Sequence, residues 1–254
     1  IKQLKFAIII PAYNEEKFIS GCLESLVNQS LKPKSIIVVD DSSTDDTPKI
    51  IKAFQKEYSF IKYVFNSSAN FHEPGHKVIN AFCQGLNSMN INDFDVVCKF
   101  DADLIFPPNY LNEINQYFLK DKTLGLCGGN CSVLKKDKWE KENVTNNDHV
   151  RGALKAYRVK AFKDIGGLSS QMGWDTADEF KLRFKKWKIK VVANLSVKHL
   201  KPTAIAYQNA YFEKQGQVFY ALRYSYWLAF LAALKISMQR NQLLKFLIVL
   251  KSYN

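Results

Sequence analysis

The sequence has no apolar stretch of bilayer length, no zinc-type cysteine pair and no glycine-rich phosphate loop, and each lack removes a class of function. Its longest uncharged aromatic and aliphatic run toward the C-terminus, Tyr224 to Leu234, is 11 residues, where a membrane helix needs about 20. The opening run LKFAIIIPAYN is too short and too soon interrupted for a secretion signal. The chain opens on Ile1 without a methionine and reads as a trimmed segment. Cysteines number five, an odd count. Only Cys127 and Cys131 lie close together, with no CxxC pair and no histidine beside them. That pattern suits reduced core thiols in a cytosolic compartment and not disulfides or zinc. No GxGxxG follows the first apolar run, and no GxxxxGK ending in Ser or Thr occurs anywhere, which removes the usual dinucleotide and P-loop sites. Acidic residues are few: 24 against 36 Lys and Arg, a net charge of +12. Such an excess suits an anionic partner: nucleic acid, anionic lipid or a phosphorylated small molecule.

What the sequence does have is alternation. At 254 residues it is long enough for one large domain with an appendage. Leu4 to Pro11 and SIIVVDD (35–41) are continuous apolar runs, as expected of strands buried on both faces. IKYVFN (61–66) and DFDVVCKFDAD (93–103) follow as further strands. Between them, a helix is expected from Asn14-Glu15-Glu16 to Gln29, another after Pro48, a third over Val78–Leu86 and a fourth over Tyr110–Leu119. Strands alternating with helices imply a parallel sheet covered on both sides. Ligands of such sheets bind beyond the carboxyl ends of the strands. Pro11-Ala12-Tyr13, Asp40-Asp41 and Asp101-Ala102-Asp103 all fall at strand ends, so they should meet on one edge. Asp101 and Asp103 by themselves are either a solvated turn or a pair of oxygen ligands. Magnesium and manganese favour carboxylate oxygens and complete their shells with substrate phosphate.

Past residue 120 the pattern changes. LGLCGGNCSVL is strand-like, and KKDKWEKENVTNNDH (135–149) is polar and reads as a loop. GWDTADEFKLRFKKWKIKVV reads as a short helix leading into a strand, and a separate unit starts at about residue 200.

Together, IIIPAYNEEKFISGCLESLVNQS and SIIVVDDSSTDDT resemble the nucleotide-binding half of family 2 glycosyltransferases, whose members share the GT-A fold. KFDADLIFPPNYL resembles that family's metal-binding DxD motif, and IGGL with GWDTADEFKLR its acceptor half. The resemblance covers roughly residues 4 to 200. It implies an α/β fold of GT-A type, with a mostly parallel central sheet flanked by helices. Residues 1–203 would form the catalytic domain, with 1–103 its nucleotide half and 104–203 its acceptor half. Residues 204–254 would form a C-terminal amphipathic helical region.

Carried over by residue, the resemblance places Pro11, Ala12, Tyr13 and Asp41 at the nucleotide base, with Glu15 and Asp40 close by. Lys77 would lie near the nucleotide, Asp101 and Ala102 by the ribose. Asp103 would ligate Mn2+ or Mg2+, with His199 as a further ligand or phosphate contact. Arg151 and Lys201 would help neutralise phosphates, and Trp139 and Trp174 either stack on sugars or pack in the core. Inverting transfer needs a general base for the acceptor hydroxyl and a cation on the departing diphosphate. The family's usual Glu-Asp pair is missing here. Asp175, the first residue choice, and Asp178, the second, are the candidate bases; one of them only caps the helix, and Glu179 and Arg183 pair at i, i+4.

The segment from Gly216 to Asn254 contains Arg223, Lys235, Arg240, Lys245 and Lys251 but no acidic residue. It suits either a membrane interface or packing on the catalytic domain or a dimer partner. The leading expectation is therefore a metal-dependent inverting hexosyltransferase. It would use a UDP-sugar, before GDP- or TDP-sugars, on a glycan or lipid-linked acceptor. It would be cytoplasmic and peripheral at the inner face of the cell membrane, with a homodimer among its expected forms and no nucleic acid as partner. A nucleic-acid or polyanion binder is the rival, but the positive charges gather in FKLRFKKWKIK and the tail, away from the strand-end acids. A nucleotidyltransferase of similar fold would want a glycine- and arginine-rich loop where PAYNEE stands.

Overall fold

Two uninterrupted runs of branched aliphatic residues set the centre of the molecule. β1 (Phe6–Ala12) and β2 (Ser35–Asp40) bury Ile8, Ile9, Ile10 and Ile36 to Val39 completely, each side chain contributing about 1.5–3 kcal/mol. β3 (Ile61–Phe65) joins β2 and β4 (Val96–Phe100) joins β1, all four strands parallel. The computed structural model describes residues 3–67, 76–142, 148–201, 208–240 and 242–253.

Helices α1 (Ile19–Val27), α2 (Thr47–Glu57) and α3 (His76–Asn87) cover this parallel half. α1 buries Ile19, Cys22, Leu23 and Leu26 on one face, the i, i+3, i+4, i+7 stripe of a core-facing helix. It starts later than the expected Asn14. Asn14 sits at φ 54°, outside helical geometry, because its backbone N–H donates to Ser43 Oγ and its Oδ1 accepts from Thr44 N–H. α3 lies close on the sheet: a Cβ on Gly85 would stand 2.6 Å from Ile9 Cγ2.

The second half adds β5 (Leu104–Ile105), α4 (Tyr110–Lys120), β6 (Leu124–Lys135), β7 (Lys138–Lys141), β8 (Leu154–Arg158), α5 (Val159–Asp164), α6 (Trp174–Phe184) and β9 (Lys188–His199). The sheet order is β3-β2-β1-β4-β8-β6-β9-β5, with β7 on β6, making nine strands among the described residues. β8 runs antiparallel to β4 and β6, while β6 and β9 are parallel. The sheet is thus mixed, parallel through β1 to β4. The polar stretch expected as a loop from 135 is instead a hairpin at its start: Ser132 to Lys135 pair with Lys141 to Lys138. Lys136 and Asp137 make its two-residue turn at φ 44° and 64°.

After β9 come α7 (Gln208–Ala221), α8 (Tyr226–Gln239) and α9 (Phe246–Lys251). The expected boundary at 203–204 falls outside the described residues. These helices gather a second, smaller cluster around Phe212, Phe219, Ala229, Ala233 and Val249. α8 is inside out: Ala229, Ala233 and Ser237 are buried, while Trp227, Leu231 and Met238 are 74%, 60% and 60% exposed. The region expected to be amphipathic is helical, and in α8 the large apolar side chains Trp227, Leu231 and Met238 are on the outer face. Among the described residues no helix is long and apolar enough to cross a membrane.

Candidate active site

The registers Ala12 to Asp40 and Ile9 to Lys99 bring the carboxyl ends of β1, β2 and β4 to one edge. There a cavity of about 400 Å³ opens, lined among others by Pro11, Ala12, Tyr13, Glu15, Asp41, Lys77, Asp101, Ala102 and Asp103. Every residue expected at the nucleotide lines it except Asp40. Asp40 is 1% exposed and its carboxylate accepts from Ser43 N–H at 3.0 Å and the Tyr63 hydroxyl at 2.9 Å. It braces the end of β2; burial and this carboxylate push the Tyr63 phenol up to about 12.

The loops after β1 and β2 lock together. Glu15 N–H donates to Thr47 Oγ1 at 2.8 Å, and Glu16 N–H to Asp45 Oδ2 at 3.1 Å. Asp41 donates its backbone N–H to Ala12 O and accepts from Asn66 Nδ2 at 2.7 Å. Tyr13 stands beside it, 53% exposed, with its ring open to a ligand. Such a ring can stack on a base and a carboxylate can accept from a base N–H. Burial raises the Glu15 carboxyl, opposed by Lys201, whose Nζ lies 2.6 Å from Glu15 Oε1.

The antiparallel pair β5–β9 sets His199 against Asp103. Leu104 pairs with His199, and Leu200 N–H donates to Asp103 O. His199 Nε2 lies 3.2 Å from Asp103 Oδ2, and Nδ1 lies 3.6 Å from Glu142 Oε2. Burial lowers the imidazole, but Asp103 and Glu142 outweigh it and hold it near 9. A proton on His199 thus stands where Asp103 calls for positive charge. A carboxylate oxygen and an imidazole nitrogen at the rim of an open cavity fit a divalent cation that completes its shell with phosphate. Of the other expected cations, Arg151 pairs with Glu142 and Lys201 with Glu15.

A second cavity of about 360 Å³ adjoins the first through Asp101 and Val78. Lys99, His149, Arg151, Gly152, Trp174, Asp175 and His199 line it. The two candidate bases part here. Asp175 faces the cavity with its side chain 36% exposed. Asp178 is 2% exposed, both its oxygens lie 2.9 Å from Lys155 Nζ, and Tyr157 OH donates to it. Burial raises the Asp178 carboxyl against the pull of Lys155. For Asp175 burial also raises, but His149 and Lys155 outweigh it and hold the carboxyl below its ordinary value. Trp174 is 7% exposed, with the ammonium groups of Lys99 and Lys155 at 5.3 and 5.8 Å from its ring. Trp139 lies on β7 under Lys198 and lines neither cavity. The expected pair of Glu179 with Arg183 is present at 3.3 Å.

Sequence reasoning passed over His149, Lys155, Tyr157, Glu142 and Lys99. Two of them carried a signal: Lys99 and Lys155 are charges inside apolar strands, and both are buried.

A parallel half ending in acids, joined to a mixed second half, makes this a GT-A-type fold. Residues 7–164 match the Glycosyl transferase family 2, and the chain belongs to that family. It is 36% identical over 102 residues to the "Probable glycosyltransferase YdaM" of Bacillus subtilis, covering 39% of this chain and 23% of that protein. It is 34% identical over 73 residues to the "GalNAc(5)-diNAcBac-PP-undecaprenol beta-1,3-glucosyltransferase" of Campylobacter jejuni, covering 29% of this chain and 24% of that one. The matched stretches thus span about a quarter of these relatives. Among solved structures, S. aureus TarS 1-349 in complex with UDP-GlcNAc aligns with TM-score 0.64 at 19% identity, over 85% of this chain and 65% of that one. The mannosyltransferase PcManGT from Pyrobaculum calidifontis, in complex with GDP-Man and Mn2+, aligns with TM-score 0.62 at 17% identity, over 88% and 66%. These two share the fold.

Proposed function

We propose that the chain is an inverting glycosyltransferase moving a sugar from a nucleotide-diphosphate sugar, first of all a UDP-sugar, to a hydroxyl of a glycan or lipid-linked acceptor. The observation that carries this is the contact of Asp103 with His199 at the border of two cavities joined at Asp101. The first cavity would hold the nucleotide: Tyr13 stacks on the base, Asp41 accepts from it, and Asp101 lies by the ribose. Asp103 and His199 would hold Mn2+ or Mg2+, which when bound offsets the charge of the departing diphosphate. Asp175, open to the second cavity, takes the proton of the acceptor hydroxyl. Asp178 belongs to the buried lattice behind it. The solved complexes with UDP-GlcNAc and with GDP-Man and Mn2+ are consistent with this choice of ligands.

This reading keeps the division into a nucleotide half to residue 103, an acceptor half to 203 and C-terminal helices beyond. Those helices give peripheral contact with the inner face of the cell membrane, where a lipid-linked acceptor resides; the Campylobacter jejuni relative is named for an undecaprenol-linked acceptor. Calorimetric titration with UDP and Mn2+ tests the core of the proposal. Asp103→Ala is expected to weaken Mn2+-dependent UDP binding by at least tenfold. An unchanged affinity would retire the metal assignment.

A further inference from the structure

Asp175 and Glu179 stand one turn apart on α6, an arrangement in which two carboxylates repel. His149 lies between them. Its Nδ1 is 3.2 Å from Glu179 Oε1 and its Nε2 is 3.7 Å from Asp175 Oδ2, with the side chain 17% exposed. Glu179 has little freedom. Its Oε1 also accepts from Val150 N–H at 3.0 Å and from Lys155 Nζ at 3.2 Å, and its side chain is 2% exposed. The imidazole is therefore anchored at one nitrogen to a fixed, buried carboxylate and points the other at the cavity carboxylate. Gly152 closes the opposite side, where a Cβ would come within 3.3 Å of Asp175 Oδ2.

We propose that His149 is the positioning residue of the general base: anchored on Glu179, it holds Asp175 in one orientation toward the acceptor cavity. The inference rests on reading Asp175 as the base. With a carboxylate at each ring nitrogen the imidazole carries both protons. Burial opposes that charge, but Asp175 and Glu179 prevail and hold His149 near 9. The charged groups facing it are Asp175 and Glu179 from α6 and Lys155 from β8. The imidazolium costs Asp175 some basicity and gives it a fixed geometry; a misplacement of about 1 Å at a reacting group can cost about a hundredfold in rate.

The test compares pH–rate profiles of wild type, His149→Gln, Glu179→Gln and Asp175→Asn with Mn2+. The substrate is the most rapidly hydrolysed member of a panel of UDP-, GDP- and dTDP-sugars. For His149→Gln, kcat is expected to fall about ten- to hundredfold, with the donor KM changed less than about twofold. Its acidic limb should move to higher pH, because the charge that held the Asp175 carboxyl down is gone while its burial remains. Glu179→Gln, which loosens the anchor and leaves the imidazole, should give a smaller change of the same kind. Asp175→Asn should bind donor and not turn over. Turnover in Asp175→Asn would overturn the base assignment and this inference with it. Lost turnover there, with His149→Gln keeping wild-type kcat and an unmoved acidic limb, would overturn the role of His149 alone. If His149→Gln does not fold, Glu179→Gln decides by the same limb.

Discussion

Lys99 and Lys155 are directly paired across β4 and β8, and both are buried. Like charges opposite each other in a sheet are unfavourable, and a buried ammonium without a partner costs several kcal/mol. Each is answered by acids: Lys99 by Asp101, Lys155 by Asp178 and Glu179, with Trp174 against both. Lys155→Met would strip buried Asp178 of its counter-charge and leave Glu179 to His149 and Arg183. Urea unfolding is expected to show a loss of about 3–5 kcal/mol; a loss near zero would mean that the carboxylates take up protons at no cost. The same lattice sets a pH signature. His149, held near 9 against an ordinary value of 6.5, contributes stability that is full below about 6.5 and lost as pH rises through 9. Asp175 and Glu179 lie below their ordinary values, so their contribution is full above about 4.5 and fades as acid is added. The metal-free protein should melt highest between these limits, and His149→Gln should flatten the alkaline decline. The strand-end acids were legible because each lies next to the apolar run that delivers it. His149 was not: its meaning comes from Asp175 and Glu179, more than 20 residues away.

At the level of elements, the parallel half could be read because buried strands and their crossover helices carry different periodicities. The start of α1 was misplaced because Asn14 is committed to the neighbouring loop, a tertiary contact that local pattern does not encode. The β6–β7 hairpin was hidden because its turn uses Lys136 and Asp137, not the Asn-Gly pair that marks such turns. α8 is the element whose design points outward. Small side chains inside and Trp227, Leu231 and Met238 outside suit a lipid interface rimmed by Lys235 and Arg240. Trp227→Glu with Leu231→Glu should abolish co-sedimentation with phosphatidylglycerol vesicles and leave UDP binding intact. Retained sedimentation would remove this face from the membrane contact, and a lowered oligomeric state in the double variant would assign it to a second copy.

At the level of the molecule, the strand–helix alternation made the fold class legible, and the mixed second half followed less clearly because antiparallel pairing across distant segments leaves no local mark. The two cavities draw on both halves of the sheet: the ends of β1, β2 and β4 line the first, while the segment before β8, the start of α6 and the end of β9 line the second. The excess of cations is spread unevenly, with no acid after Gly216. Vesicle binding through this tail should therefore weaken steeply with salt, while UDP binding, seated among locked loops, should respond far less.

Lys201, just past β9, grips Glu15 in the loop after β1, a clasp between positions 186 apart in the chain. The chain just past β9 is thereby fastened to the lip of the first cavity. If UDP binding at that cavity and vesicle binding at α8 are coupled through this clasp, thermodynamics makes their influence mutual: whatever factor UDP adds to vesicle affinity, vesicles must add to UDP affinity. Cutting the latch with Lys201→Ala should leave each event possible and make each indifferent to the other.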